Sequence, residues 1–219
     1  MSKHERNYMP MLAFTIKAFV TLFVVIDPVG LVPIFIALAG NYSEEEQASI
    51  LRQAILIAGI ILLVFSLGGN FLLHYLGITI EAFQVTAGLL LLKLGLDMVF
   101  GESEGETKEE DKQIVLKRDI SVFPLAIPLI AGPGTLASTL ILLDEASTFT
   151  FAVGLAIVLT INVILLGVCY GFLSCSKYLA SVLGATGINA VTRILGVLLS
   201  ALGVQYMADG LVVLLKLGS

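Results

Sequence analysis

Charge is scarce in this sequence. Only 13% of its 219 residues are Asp, Glu, Lys or Arg, whereas water-soluble domains usually carry about 25%. With 58% hydrophobic residues and a mean hydropathy of +1.00, the chain lacks the polar surface that a water-soluble fold needs. Cysteine and histidine are rare too, at two residues each. Cys169 and Cys175 share one apolar stretch with no histidine placed to complete a metal site, so they read as packing residues. There is no phosphate-binding glycine loop, no metal-ligand cluster and no serine–histidine pairing. No catalytic residue, metal or cofactor is therefore expected, and the protein is not expected to be an enzyme. Short alternating strands, the mark of a membrane β-barrel, are absent as well. The net charge of −5 is spread among both signs and forms no basic face, so nucleic acid is not an expected partner.

What the sequence does have is long runs almost free of charge: residues 12–26, 53–73, 82–92, 120–143, 146–176 and 194–208. A bilayer core of about 30 Å takes about 20 helical residues to cross. The shorter runs reach that length once charges at their edges snorkel. The expected fold is all-α and polytopic, with six membrane-spanning helices and the lipid bilayer as its solvent. Residues 1–11 are short and polar with no cleavage signature, so the first span is expected to stay in the mature protein. Asn70, after Gly68-Gly69, is expected to end the second helix.

The chain reads as a single transmembrane domain, 1–219, in two halves, 1–110 and 111–219, joined by a charged loop. An offset of 108 aligns Ile80 with Ile188, Ala82 with Ala190, Gly88 with Gly196, Leu91 with Leu199 and Gly95 with Gly203. The two glycines of each half lie two turns apart on one helix face, where they permit close helix contact. Three spans per half make the second half enter the membrane from the opposite side, so a 3+3 inverted-topology repeat is expected. Arg52, Lys108, Lys112, Lys117, Arg118 and Lys177 fall on one face, and Lys3, Arg6 and Lys216 on the other. The positive-inside rule then places the termini outside and the loop at 101–119 in the cytoplasm. Lys17 breaks this pattern and is expected to snorkel outward.

The first and fourth spans are each interrupted, at Asp27-Pro28-Val29-Gly30 and at Gly132-Pro133-Gly134. Proline removes a backbone donor and clashes with the preceding turn. In hydrocarbon, each freed N–H or C=O group costs several kcal/mol unless something satisfies it. Two breaks in corresponding places of inverted halves point to a binding site at the repeat interface. Half-helix N-termini there suit a carboxylate and half-helix C-termini suit an ammonium or another cation. Asp27 lies mid-span, with three open roles: pairing with a substrate ammonium, carrying a coupling proton, or capping the second half-helix. Thr135, Ser138 and Thr139 offer hydroxyls at the start of the half-helix after the second break. Asn162, Gln84 and Thr86 read as helix–helix hydrogen-bonding residues. Lys93 and Asp97 are spaced to neutralise each other.

Three stretches carry a family resemblance: IDPVGLVPIFIAL at 26–38, PLAIPLIAGPGTLASTL at 124–140 and TGINAVTRILGVLLSALGVQ at 186–205. Together they resemble the signature segments of the MarC family, six-span membrane proteins that include small neutral amino-acid transporters related to the lysine-exporter superfamily. The resemblance implies an inner-membrane secondary carrier built as a 3+3 inverted repeat with discontinuous first and fourth helices. It implies glycine, alanine and serine as substrates, with alternating access as the mechanism. The substrate-binding residues expected on these combined grounds are Asp27, Pro28, Val29, Gly30, Gly132, Pro133, Gly134, Thr135 and Ser138, with Asp27 also the candidate for proton coupling. A passive channel for small polar solutes and an export-related membrane subunit are the competing expectations.

Overall fold

The computed structural model describes residues 3–100, 120–146 and 150–217, so the charged loop at 101–119 lies outside the described residues. The chain forms α1 (Lys3–Ile26), α2 (Leu31–Ala39), α3 (Glu44–Tyr75), α4 (Ile80–Phe100), α5 (Ser121–Ile130), α6 (Pro133–Glu145), α7 (Phe151–Ser174) and α8 (Ser176–Leu217). No strand occurs among the described residues. Four of these helices are long and apolar enough to cross a bilayer, and six spans result if each of two bent pairs counts as one. Large apolar side chains on the exterior, among them Ile60, Val64, Phe71, Val163, Ile194 and Leu215, are exposed. A surface of this kind belongs in lipid.

The local sequence accounts for the helix ends. Ser43 caps α3 through a reciprocal box with Glu46, and Glu44, Glu45 and Glu46 occupy the first turn, where acidic side chains favour the positive end of the helix dipole. Asn70 does not end this helix, which runs on to Tyr75 before Gly77 turns the chain at φ +70°. Gly69 serves packing instead, because a Cβ there would meet the side chain of Leu140. The helices α4 and α8 outrun the charge-free stretches at 82–92 and 194–208. The charged and polar residues that bound those stretches find partners one turn away: Lys93 Nζ donates to Asp97 Oδ2 at 2.8 Å and Gln205 Nε2 to Asp209 Oδ1 at 2.7 Å. Neutralised on the helix surface, they need not terminate it. Gly184, at φ 62° and ψ 172°, breaks α8 near its start.

The two bent pairs are α1 with α2, at 40°, and α5 with α6, at 46°. The segment α5 is wound as a π-helix and contains Pro124 and Pro128. Its wide i→i+5 bonds, such as Ala131 N to Ala126 O at 2.9 Å, leave room for prolines that an α-helix would reject. The helix α6 sits at the centre, with Gly134, Thr135 and the whole of 137–143 buried. One hydrophobic cluster gathers residues of α1, α2, α3, α5, α6 and α7. A second joins Val24 and Val25 of α1, Ala87 and Leu91 of α4, Ala137 and Ile141 of α6, and Leu199 and Tyr206 of α8. Backbone meets backbone between α4 and α8: a Cβ on Gly203 would lie 2.6 Å from Gly88 O, and one on Gly196 would lie 2.8 Å from Gly95 O. These two contacts fix an antiparallel crossing of α4 and α8.

Candidate functional site

At the first break a single residue, Asp27, closes one helix and opens the next. Its N–H donates to Phe23 O at 3.0 Å, ending α1, and its carbonyl accepts from Leu31 N at 3.1 Å, starting α2. Between these bonds the backbone of Asp27 adopts φ 47°, a left-handed conformation that Asp and Asn tolerate better than most residues. The carboxylate folds back so that Oδ1 accepts the Gly30 N–H at 3.0 Å. Of the three roles open to Asp27 in the sequence, the structure displays the capping role. It also explains Gly30, because a Cβ at that position would collide with Asp27 Oδ2.

The second break repeats this backbone plan without the side-chain cap. Gly132 stands where Asp27 stands, and its carbonyl accepts from Leu136 N at 3.0 Å, as Asp27 O accepts from Leu31 N. Pro133 takes the first position of α6, a position where its missing donor costs nothing. Gly132 is required by contact, since a Cβ there would run into Pro128 O. No side chain caps this end of α6. Thr135 turns its hydroxyl to Ile130 O at 3.0 Å, across the break to α5. The backbone N–H groups of Gly134 and Thr135 precede the first i→i−4 donor of α6, Leu136, and so have no partner within the helix.

The fold brings the two breaks together. A Cβ on Gly134 would stand 3.4 Å from Val25 Cγ1, two residues before Asp27, and 2.8 Å from Leu91 Cδ2 of α4. Pro28, Val29, Gly132, Gly134 and Thr135 are buried, Asp27 and Gly30 are half-buried, and Pro133 is exposed. Cys169 on α7 is fully buried in the cluster that holds Ile26 and Ile130, the residues that precede the two breaks. Ser138, fully buried with no hydrogen-bond partner for its hydroxyl, lies one turn along α6 from Gly134 on the same helix face.

One residue differs from its sequence expectation. Asn162 reads as a helix–helix hydrogen-bonding residue, yet its side-chain Oδ1 and Nδ2 are both buried without a partner, and the residue is 3% exposed. Thr139 Oγ1 is buried and unpartnered as well. Lys17, expected to snorkel outward, is exposed and is bound by both carboxylate oxygens of Glu145, at 2.8 and 2.6 Å. This ion pair ties α1 to the end of α6, and on α3 and α8 Glu44 pairs with Lys177 at 3.3 Å. Sequence spacing does not reveal the partner of Lys17, because Glu145 lies 128 positions away in the chain. Among the described residues, no group of three or more His, Cys, Asp or Glu side chains converges as a metal site would.

Comparison with known proteins covers nearly the whole chain. The profile of a family described as "MarC family integral membrane protein" matches residues 12–215. A UPF0056 membrane protein of Methanocaldococcus jannaschii is 37% identical over 209 residues, covering 94% of this chain and 90% of the relative. A UPF0056 membrane protein of Aquifex aeolicus is 39% identical over 203 residues, covering 92% and 94%. The UPF0056 membrane protein YhcE of Escherichia coli is 30% identical over 197 residues, covering 89% and 90%. No solved structure matches.

Proposed function

The chain belongs to the MarC family of integral membrane proteins, and from that premise we propose that it is a secondary transporter of small neutral amino acids. The observation that carries this reading is the meeting of two interrupted helices in the core, one capped from within by Asp27 and the other with no side-chain cap. The two N-termini divide the work. Asp27 already satisfies Gly30, so the first N-terminus holds its own carboxylate. The second, with the N–H groups of Gly134 and Thr135 and the positive end of the α6 dipole, suits the carboxylate of a substrate. The C-terminal carbonyls of α1 and α5, beside the half-buried Asp27, suit the ammonium. Gly134 packs against the buried side chains of Val25 and Leu91, close apolar walls that favour a ligand with a small side chain.

The reading includes the 3+3 inverted repeat. Under the offset of 108, Gly88 corresponds to Gly196 and Gly95 to Gly203. The contacts run crosswise, Gly88 to Gly203 and Gly95 to Gly196. In a two-fold arrangement, if i touches the counterpart of j, then j touches the counterpart of i. The crossing of α4 and α8 therefore supports a pseudo-two-fold axis between them, with the paired breaks on either side. Alternating access follows as a movement of one half against the other around the site. The distribution of Lys and Arg supports an inner-membrane orientation with both termini outside.

The test is a thermal-shift survey of the twenty amino acids on purified protein, followed by uptake in sealed proteoliposomes. Stabilisation by glycine, alanine and serine alone, with uptake that saturates and is stimulated by internal substrate, is the expected result. Flux that never saturates would replace the carrier with a channel. Absence of any shift would remove the amino-acid substrate.

A further inference from the structure

The side chain of Asn162 is the least satisfied polar group in the described core. Both its carboxamide atoms are buried without a partner, and the residue is 3% exposed in the middle of α7. A buried amide that bonds to nothing loses its water and gains nothing in return. A helix–helix role would show a partner on a neighbouring helix, and none is present.

Its level in the bundle follows from contacts along α3. A Cβ on Gly59 would meet Leu166 of α7, and one on Gly69 would meet Leu140 of α6. At 1.5 Å per residue, those levels are about 15 Å apart. Leu166 of α7 meets Gly59, and Lys177 at the start of α8, three residues past the end of α7, pairs with Glu44 at the start of α3, so α7 runs antiparallel to α3 and Asn162 lies above Leu166 towards Leu140. A Cβ on Gly154, at the start of α7, would meet Ala146 at the end of α6, so α6 runs antiparallel to α7 and parallel to α3. Four residues on α7 raise Asn162 about 6 Å, and five residues on α6 drop Thr135 about 7.5 Å below Leu140. Asn162 and the uncapped start of α6 therefore share one level to within about one helical turn of 5.4 Å. Val25, just ahead of the first break, meets Gly134 at the same level.

Its direction is fixed by its helix neighbours. On a helix, Asn162 points between Leu166, which faces α3, and Cys169, which is fully buried in the core cluster that holds Ile26, Leu31 and Ile130 beside the breaks. The helix α7 packs against α3 and against α1, α2 and α6, three of the four helices that flank the breaks.

We infer that Asn162 is a substrate-binding residue of the paired-break site, its Oδ1 accepting from the ammonium of the amino acid and its Nδ2 donating to the carboxylate. This rests on the transporter reading and adds a third wall to the site. The carboxamide fork presents an acceptor and a donor side by side, as the two ends of a zwitterion require. A ligand with only one of those ends leaves half of the fork unpaired, so Asn162 selects for intact α-amino acids.

The experiment compares wild type with Asn162→Leu and with Asn162→Ala, which cannot overpack, by glycine titration and by melting temperature without ligand. Expected are a glycine affinity at least tenfold weaker in both variants and a ligand-free melting temperature for Asn162→Leu equal to or above that of wild type. An unpaired amide replaced by an apolar group of similar shape predicts that result. If wild type binds glycine and both variants bind it equally well, Asn162 is not a binding residue, and the transporter reading stands. A lower ligand-free melting temperature for Asn162→Leu with unchanged affinity in both variants assigns Asn162 a structural role and overturns the inference. If wild type itself binds no amino acid, both readings fall together.

Discussion

The carboxylate of Asp27 occupies the space that a side chain at Gly30 would need, and Gly30 returns its N–H to Asp27 Oδ1 at 3.0 Å. Each residue explains the other. The acid is held inside the span because it caps α2, and the glycine is there because nothing larger fits beneath the cap. This pairing divides the two breaks into one that is filled from within and one that is open to a ligand.

Capping and proton coupling make different demands on Asp27. Asparagine retains the oxygen acceptor and tolerates φ 47°, whereas alanine does neither. Asp27→Ala is expected to cost about 1–3 kcal/mol of stability, from the lost cap and the strained backbone. Asp27→Asn is expected to melt close to wild type. If Asp27→Asn also keeps uptake that responds to an imposed pH gradient, the carboxylate does not carry the coupling proton.

The clash at Gly30 can be measured by a double-mutant cycle. Gly30→Ala alone is expected to destabilise by about 1–3 kcal/mol, as overpacking does. Combined with Asp27→Gly, which removes the obstructing carboxylate, it should cost less than the sum of the two single changes. Strict additivity in melting experiments would show that Gly30 is not there for the carboxylate.

Glycines that look alike in sequence should respond in opposite ways to alanine. Gly68 has nothing within 4 Å of an added Cβ, so Gly68→Ala in the interior of α3 should stabilise by about 0.5–1 kcal/mol. Gly88 would drive its Cβ to 2.5 Å from Gly203 O. That atom is backbone and cannot swing aside, so Gly88→Ala should cost about 2 kcal/mol or more. Melting temperatures in one detergent, read side by side, decide the comparison.

The Lys17–Glu145 pair joins the first half of the chain to the second at the end of α6. If transport needs the halves to separate there, cross-linking Lys17→Cys to Glu145→Cys in a Cys175→Ser background should stop uptake, and reduction should restore it. A channel already open in this conformation would conduct whether or not the link is present.

The six apolar runs, the paired Pro-Gly interruptions and the family were all legible in the chain, because they depend on composition and on proline and glycine chemistry that act within a few residues. The sites of the breaks were legible too, since a proline removes its own donor wherever it stands. Partners were not legible. The pairing of Lys17 with Glu145 spans 128 positions, and no local pattern announces it. Asn162 looked like any polar residue in a membrane helix until the packing of α7 showed it buried with nothing to bond. The division between a filled break and an open one also needed the folded chain. It turns on where one carboxylate comes to rest, and that depends on a backbone angle and a missing Cβ that act together only in three dimensions.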